Sequence, residues 1–397
     1  MKNKKIGINV MLFGLIFCAL LYFSNNFGLI DIEKTAIITA IGLDTAENEY
    51  EVTVQIAVPQ ASNATKENDK AVISATGATA SEALHQIGDI TGWYPNLGFC
   101  NLIVLGEDLL VGDVNVCVDY FSKTLKLQDS ACLTACEGKA KDLLKAVTPL
   151  DSISSFAIQK ILLKNPGMTS DVATVDVKTF SVGYFSNAAS SHMPFIRAIE
   201  VGGAKSGKAA GEGEAQSGGG GQEPEMVFDA AYTAMFKDGY FVGMLDDHET
   251  KTFNVLNEKV NENFFIVDDV PIGENKENFL LNVSDNKCKV KLDIENGVPV
   301  LKVNARLFVR VEDRTAYKKE EALKSNALLP EPVAKKAQED FVKYMLGIVK
   351  KCRESGCDLL ELDNKLYRHH HKEYERMRRT LYDDLQLRVN VEFSGVK

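Results

Sequence analysis

Thr35–Leu43 reads TAIITAIGL and Tyr50–Pro59 reads YEVTVQIAVP, and this pair of runs sets the fold class. In the second run Tyr50, Val52, Val54, Ile56 and Val58 alternate with Glu51, Thr53 and Gln55, the period-two pattern of a strand with one buried face. The polar stretch Asp44–Glu49 between the runs is turn-like, so a hairpin is expected. Downstream, Leu84, Ile87 and Ile90 fall on one helical face within Ala80–Ile90, with Ser81 as its cap. Phe99–Leu105 (FCNLIVL) is a short apolar strand closed by Gly106-Glu107-Asp108.

Val114, Val118, Phe121 and Leu125 have helical spacing, Leu133–Glu137 is a strand, and Ser152–Lys164 is a helix stopped by Asn165-Pro166. Strands and helices mixed without a clean βαβ run point to an α+β module. Val201–Glu225 (VGGAKSGKAAGEGEAQSGGGGQEPE) lacks large apolar residues after Val201 and reads as a flexible Gly-rich linker or loop. Gly218–Gly221 has no strand leading in and no Lys-Ser/Thr following, so it is not a phosphate-cradling loop.

Beyond the Gly-rich stretch, Ala230–Gly243 forms a hairpin turning at Lys237-Asp238-Gly239. A second hairpin turns at Asn296-Gly297, between Lys289–Ile294 and Val298–Val311, with the polar run Ser284-Asp285-Asn286 as the turn leading into it. Val333, Ala337, Phe341, Met345, Ile348 and Cys352 share a face of a long helix over Pro332–Cys352, with Gly356 as its stop. A helical stretch over about Leu359–Asp383 precedes a final strand, Leu387–Phe393.

The 397 residues are 45% hydrophobic and 25% charged, which is ordinary for folded material and enough for two or three domains. A net charge of −10 excludes general nucleic-acid binding, which needs a basic face. The eight cysteines are too sparse for a disulfide scaffold, and neither Cys132/Cys136 nor Cys352/Cys357 has CxxC spacing. They read mainly as packed thiols, with disulfides or metal as the alternatives.

The N-terminus carries Lys2, Lys4 and Lys5, then IGINVMLFGLIFCALLYF over Ile6–Phe23 without a charge. As a helix that length extends about 27 Å, close to the ~30 Å hydrocarbon thickness, and the basic flank places the following chain outside. The anchor side chains are Ile6, Val10, Leu12, Phe13, Leu15, Ile16, Phe17, Leu20, Leu21 and Phe23. A cleaved signal lacks a small-x-small site at Ser24–Phe27, and a lipobox is poor because Cys18 follows bulky Phe17. Retained, cleaved and lipidated forms all remain open, with a retained anchor the leading reading.

No GxSxG, HExxH, Walker or dinucleotide fingerprint is present, and no catalytic, cofactor or metal site is assigned. Asp246-Asp247-His248-Glu249 lacks the ligand spacing of a calcium loop and reads as a solvated turn. His369-His370-His371 on one helix would point about 100° apart and cannot converge on one metal. With Lys365, Arg368, Lys372, Arg376, Arg378 and Arg379 they form a cationic helix, read either as a solvated face or as a contact for anionic lipid or an acidic partner.

These pieces together resemble the Ger(x)C (GerAC-like) family of spore germinant receptor C subunits. The resemblance is carried by Ile32–Asp44 with its AIGxD ending, by Tyr50–Pro59, and by Gly98–Glu107. It continues in Ala234–Gly243 with Leu245, Gly356-Cys357-Asp358, Leu366-Tyr367 and the closing Leu387–Gly395 strand. It implies three α+β domains, no enzymatic activity or cofactor, and assembly with integral-membrane A and B type subunits on the outer face of the spore inner membrane. The family's usual lipidated Cys has no counterpart here, and the Gly-rich insert is unusually long.

The expected architecture is therefore an α+β, multi-domain ectodomain of mixed sheets packed with helices, preceded by one N-terminal transmembrane helix. Its divisions are an anchor over 1–25, an N-terminal domain over 28–200, the linker or loop over 201–225, a small middle domain over 226–273 and a C-terminal domain over 274–397. The expected function is a non-catalytic membrane-anchored receptor subunit, and the alternative is an extracytoplasmic small-ligand-binding module.

Overall fold

The computed structural model describes residues 11–20, 35–47, 49–57, 70–123, 127–163, 171–201, 224–257, 263–315 and 329–395. After a helical stretch over 11–20, the chain forms β1 (Thr35–Ala46), β2 (Glu49–Ala57), β3 (Lys70–Gly77), α1 (Ala80–Thr91), β4 (Tyr94–Asn96) and β5 (Leu102–Leu105). α2 (Asn115–Lys123), β6 (Cys132–Cys136), α3 (Ala140–Lys145) and α4 (Ser154–Leu162) follow. Then come β7 (Val175–Asp176), α5 (Val177–Tyr184), β8 (Ser190–Glu200), β9 (Met226–Lys237) and β10 (Tyr240–Leu245).

These strands make one sheet in the order β10-β9-β8-β6-β5-β1-β2-β3, with β4 beside β1 and β7 beside β6. β1, β5, β6 and β8 run parallel to one another, and the strands at both ends are antiparallel. The sheet thus has a parallel centre that the sequence pattern did not disclose. A parallel centre needs both faces covered. α1, α2 and α5 pack on one face, around Ile41, Leu43, Val118, Phe121 and Phe180, while α3 and α4 pack on the other, around Ala40, Leu102, Leu144 and Ile158. This explains why TAIITAIGL is apolar almost without alternation.

The same two-sided cover changes the reading of β2. Its polar face does not meet water, because Thr53 and Gln55 are fully buried. Gln55 Nε2 donates to Leu144 O at 2.8 Å and to Ser154 Oγ at 2.9 Å, while its Oε1 accepts from Ser155 N at 3.0 Å. One side chain thereby serves both the end of α3 and the start of α4. Asp44, at the end of the AIGxD run, accepts from Ala140 N at 2.7 Å and Lys141 N at 2.9 Å. It caps α3, whose own N-cap residue Lys139 makes no side-chain cap bond. Burial pushes the Asp44 carboxyl above its usual range, and the two amide donors oppose that shift.

α1 begins one residue earlier than its expected cap. Thr79, not Ser81, accepts from Glu82 N at 3.1 Å, and the Glu82 carboxylate accepts from Ala78 N at 2.9 Å. Glu200 at the end of β8 pairs with Met226 at the start of β9, and Val201 N donates to Glu225 O at 2.8 Å. The Gly-rich stretch between them, which lies outside the described residues, therefore connects two paired strands of one sheet.

The chain continues as α6 (Asp247–Leu256), β11 (Asn263–Ile272), β12 (Asn275–Glu295), β13 (Val298–Arg314), α7 (Glu331–Ser355), α8 (Leu362–His369), α9 (His371–Met377) and β14 (Gln386–Gly395). The second sheet has the order β11-β12-β13-β14, with β14 parallel to β13. The expected middle domain over 226–273 is not laid out as its own sheet. Residues 226–245 extend the first sheet and 263–272 open the second, because each strand pairs with its neighbour in the chain. Ser284-Asp285-Asn286 lies within β12 at a shift in register, so it is a bulge and not a turn.

Asn296 and Gly297 do turn the β12–β13 hairpin, at φ 54° and 81°, values that Asn and Gly tolerate. The apolar face of α7 is buried at Val333, Ala337, Phe341, Met345, Ile348, Val349 and Cys352. Gly356 ends α7 at φ 68°.

Replacing Asp44 by Ala leaves the first amides of α3 without an acceptor and is expected to cost about 1–3 kcal/mol. Gly106→Ala should also destabilise, since its Cβ would lie 2.0 Å from Asp44 Oδ1. Both are read as lowered denaturation midpoints, and a midpoint unchanged in Asp44→Ala would refute the capping role.

Candidate functional site

The two sheets are joined where the chain leaves α7. Cys357 Sγ donates to Phe236 O at 3.2 Å, a carbonyl of β9 whose strand partner is Ser191 of β8. The next residue, Asp358, donates its N–H to Ser190 Oγ at 2.9 Å. Its carboxylate accepts from Leu362 N and Asp363 N, both at 2.8 Å, and from the Tyr382 hydroxyl. Asp358 thus caps α8 on one side and holds the first sheet on the other. α8 needs this help, because its N-cap Glu361 sits at φ 53° with no side-chain cap bond.

A second lock lies beside it. Asp246 and Glu249 form a reciprocal capping box at the start of α6, with Glu249 N donating to Asp246 Oδ1 at 2.8 Å and Asp246 N donating to Glu249 Oε2 at 3.0 Å. Glu249 also pairs with Lys351 of α7, which donates to Met244 O at 2.7 Å. Asp246-Asp247-His248-Glu249 is therefore a helix start and not a solvated turn. His248 stacks on Tyr344 with ring centroids 4.8 Å apart.

Between the units opens a cleft of about 680 Å³. Its floor includes Ser190, Ser191, His192 and Asn257, and Val182, Phe185 and Tyr367 stand exposed at its rim. Ser191 Oγ is buried without a hydrogen-bond partner, and His192 meets Phe253 edge-on at 5.1 Å. A cavity of this size falls in the volume range of small-molecule sites, and its lining is rich in polar and charged side chains, among them Asn187, Asp363, Asn364, Lys365 and Arg368. No feature of the sequence flagged it, because α5 and α8 are 178 residues apart at their closest ends (184 and 362).

The cationic tract is not one helix. At His370 the backbone turns to φ −135°, ψ 47°, separating α8 from α9, and the His370 ring contacts Leu292 O at 3.0 Å. Lys365 is half-buried with its ammonium on Leu360 O, and burial pulls its pKa below the usual lysine range. Arg378 lies 5.3 Å from the Tyr374 ring centroid and 3.6 Å from Glu375. Arg368, Lys372, Arg376 and Arg379 are exposed, but on two helices and the turn after them.

Every cysteine is a free thiol. Burial pushes Cys117 and Cys132 up to about 11, and Cys100 and Cys357 up to about 12. Cys136 and Cys352 are raised further by burial. Among the described residues no group of three His, Cys, Asp or Glu is arranged to hold a metal.

Of the anchor residues, Leu12, Phe13, Leu15, Ile16, Phe17 and Leu20 lie on a helical stretch over 11–20 and are exposed. Ile6, Val10, Leu21 and Phe23 lie outside the described residues. Among the described residues no helix is long and apolar enough to cross a membrane.

Comparison with known proteins accounts for both units. Residues 29–198 match the family described as spore germination protein N-terminal domain, and residues 231–394 match spore germination B3/GerAC like, C-terminal. Spore germination protein KC of Bacillus subtilis (strain 168) is 24% identical over 361 residues, covering 88% of this chain and 85% of that protein. The crystal structure of the GerBC protein shares the fold at a TM-score of 0.53 and 16% identity, covering 92% of this chain and 100% of the other.

Asp358→Ala should loosen the joint and cost about 2–3 kcal/mol by orphaning buried amides. Hydrogen exchange should rise over 358–369 and at Ser190–Ser191 while β1–β3 stay protected; uniform exchange would contradict the joint. The thiols give a second check. In the native chain a thiol-specific reagent should titrate at most Cys18 rapidly, the other seven reacting only on unfolding.

Proposed function

Because this chain belongs to the GerAC-like spore germination family, we propose that it is a non-catalytic, membrane-anchored subunit of a spore germinant receptor complex. It supports nutrient-triggered germination by assembling with integral-membrane A and B type subunits on the outer face of the spore inner membrane. The observation that supports this reading most is where the motif residues go. Asp44, Gly106, Cys357 and Asp358 are all engaged in holding helices and sheets together, so what the chain offers a partner is a rigid surface.

The uncharged Ile6–Phe23 segment behind Lys2, Lys4 and Lys5 serves as the anchor in this reading. The exposed Arg368, Lys372, Arg376 and Arg379 then provide a contact for anionic lipid or an acidic partner surface, while Lys365 is tied to its own backbone.

A second reading, capture of a small ligand in the cleft between the units, is favoured by the buried, unpartnered Ser191 Oγ.

Deleting the gene should abolish germination by the cognate nutrient, and affinity purification of the chain from spore membranes should recover two multi-span subunits. Normal germination of the deletion strain would refute the receptor role. For the second reading, a thermal-shift screen with amino acids and sugars should give a rise in melting temperature that Ser191→Ala abolishes. A screen with no rise removes that reading.

A further inference from the structure

The only Trp in the chain, Trp93, is 48% exposed, an uncommon position for the residue with the largest apolar surface. It is not alone. Ile90 is 66% exposed, Tyr94 36% and Phe99 59%, so four large apolar side chains within ten residues are open to solvent. Large apolar side chains exposed this densely along one stretch of chain mark a surface that meets something other than water.

The backbone that presents them is held firmly. Gly92 closes α1 at φ 71°, its N–H bonded to Gly88 O at 2.8 Å, and Trp93 N donates to Thr91 Oγ1 at 3.3 Å. Asn96 Oδ1 accepts from Gly98 N at 2.9 Å and Gln128 Nε2 donates to Gly98 O at 3.1 Å, fixing the turn that carries Phe99. The rings are therefore displayed by rigid structure. Trp93 and Tyr94 also border a shallow cavity with His85, Gly88, Tyr120 and Lys123.

The position of this patch identifies its occupant. β4 pairs in parallel with the first residues of β1, Thr35 opposite Tyr94 and Ala36 opposite Pro95. The chain thus enters the folded region beside the aromatic patch. Eleven residues, 24–34, separate Thr35 from the end of the uncharged Ile6–Phe23 segment. Fully extended they reach at most about 40 Å, so this end of the first sheet stays within that distance of whatever surface that segment enters. Trp and Tyr are the side chains that concentrate at membrane–water interfaces, where an apolar ring and a polar tip are both satisfied.

We propose that Ile90, Trp93, Tyr94 and Phe99 form a foot that inserts into the interfacial layer of the lipid bilayer and stands the first sheet on the membrane by its β1 entry end. The foot rests on the anchor reading above, and it adds an orientation that a tether alone does not supply. It places β4 and the C-terminal turns of α1 and α2 at the lipid, leaving the opposite end of the sheet for partners.

The lone Trp makes the test specific. The full chain is reconstituted into phosphatidylcholine vesicles with and without acyl-chain-brominated lipid, and its tryptophan emission is followed. Brominated lipid should quench the emission by more than half, and acrylamide should quench it at least twofold less than in the unfolded chain. The double variant Ile90→Asp/Phe99→Asp should cut lipid quenching at least twofold while the chain stays in the vesicle pellet.

Trp93 open to acrylamide and unaffected by brominated lipid, in a chain that still pellets with vesicles, overturns the foot and leaves the anchor standing. A chain that does not pellet overturns both. Shielding of Trp93 that arises only when multi-span subunits are co-reconstituted assigns the patch to a protein partner and overturns the lipid proposal.

Discussion

Buried helix starts need acceptors for their first amides, and among the described residues three helices obtain those acceptors from side chains other than their N-cap residues. α3, α4 and α8 begin at Lys139, Ile153 and Glu361, none of which makes a side-chain cap bond. Asp44, Gln55 and Asp358 supply the oxygen instead, two of them from strands about 100 residues away. An amide buried without a partner costs on the order of 1–3 kcal/mol, so these bonds decide which helix sits on which strand. The helices cannot slide along the sheet without losing them.

The same device joins the two units. Asp358 serves α8, Tyr382 and Ser190 at once, and Cys357 reaches the β9 backbone from the residue before it. Lys351 ties α7 to both the capping box of α6 and the end of β10. The second hydrophobic core extends to Met235 and Leu245 of the first sheet, so apolar packing continues across the joint. The joint is thus fixed by hydrogen bonds, an ion pair and apolar packing together. That property suits a subunit proposed to sit between a membrane and its partners.

Much of the local structure is legible in the residue pattern. The α7 face from Val333 to Cys352, the Asn296-Gly297 and Asp238-Gly239 turns, the Gly356 stop and the alternating last strand all follow from periodicity and turn chemistry. Other signals misled for identifiable reasons. The alternation in β2 implied a wet face, but α3 and α4 cover it and turn Gln55 into a buried cap. The acidic run at Asp246 looked solvated because reciprocal capping needs the helix to be present before it can be seen. The six cations near His370 looked like one stripe because the break in the helix falls at a residue with no breaker chemistry.

The sequence by itself determined the α+β class, the main hairpins, the long amphipathic helix and the family, since these rest on local periodicity and on motifs that read in order along the chain. Only the tertiary structure decided the parallel centre of the first sheet, the continuation of β9 and β10 into it, the cleft above Ser191 and the aromatic patch beside Thr35. Each of these depends on pairing between residues far apart in the chain. Strand order and long-range hydrogen bonds leave little trace in local composition, because partners such as Asp44 and Ala140 or Gln55 and Ser155 lie about 100 residues apart in the chain.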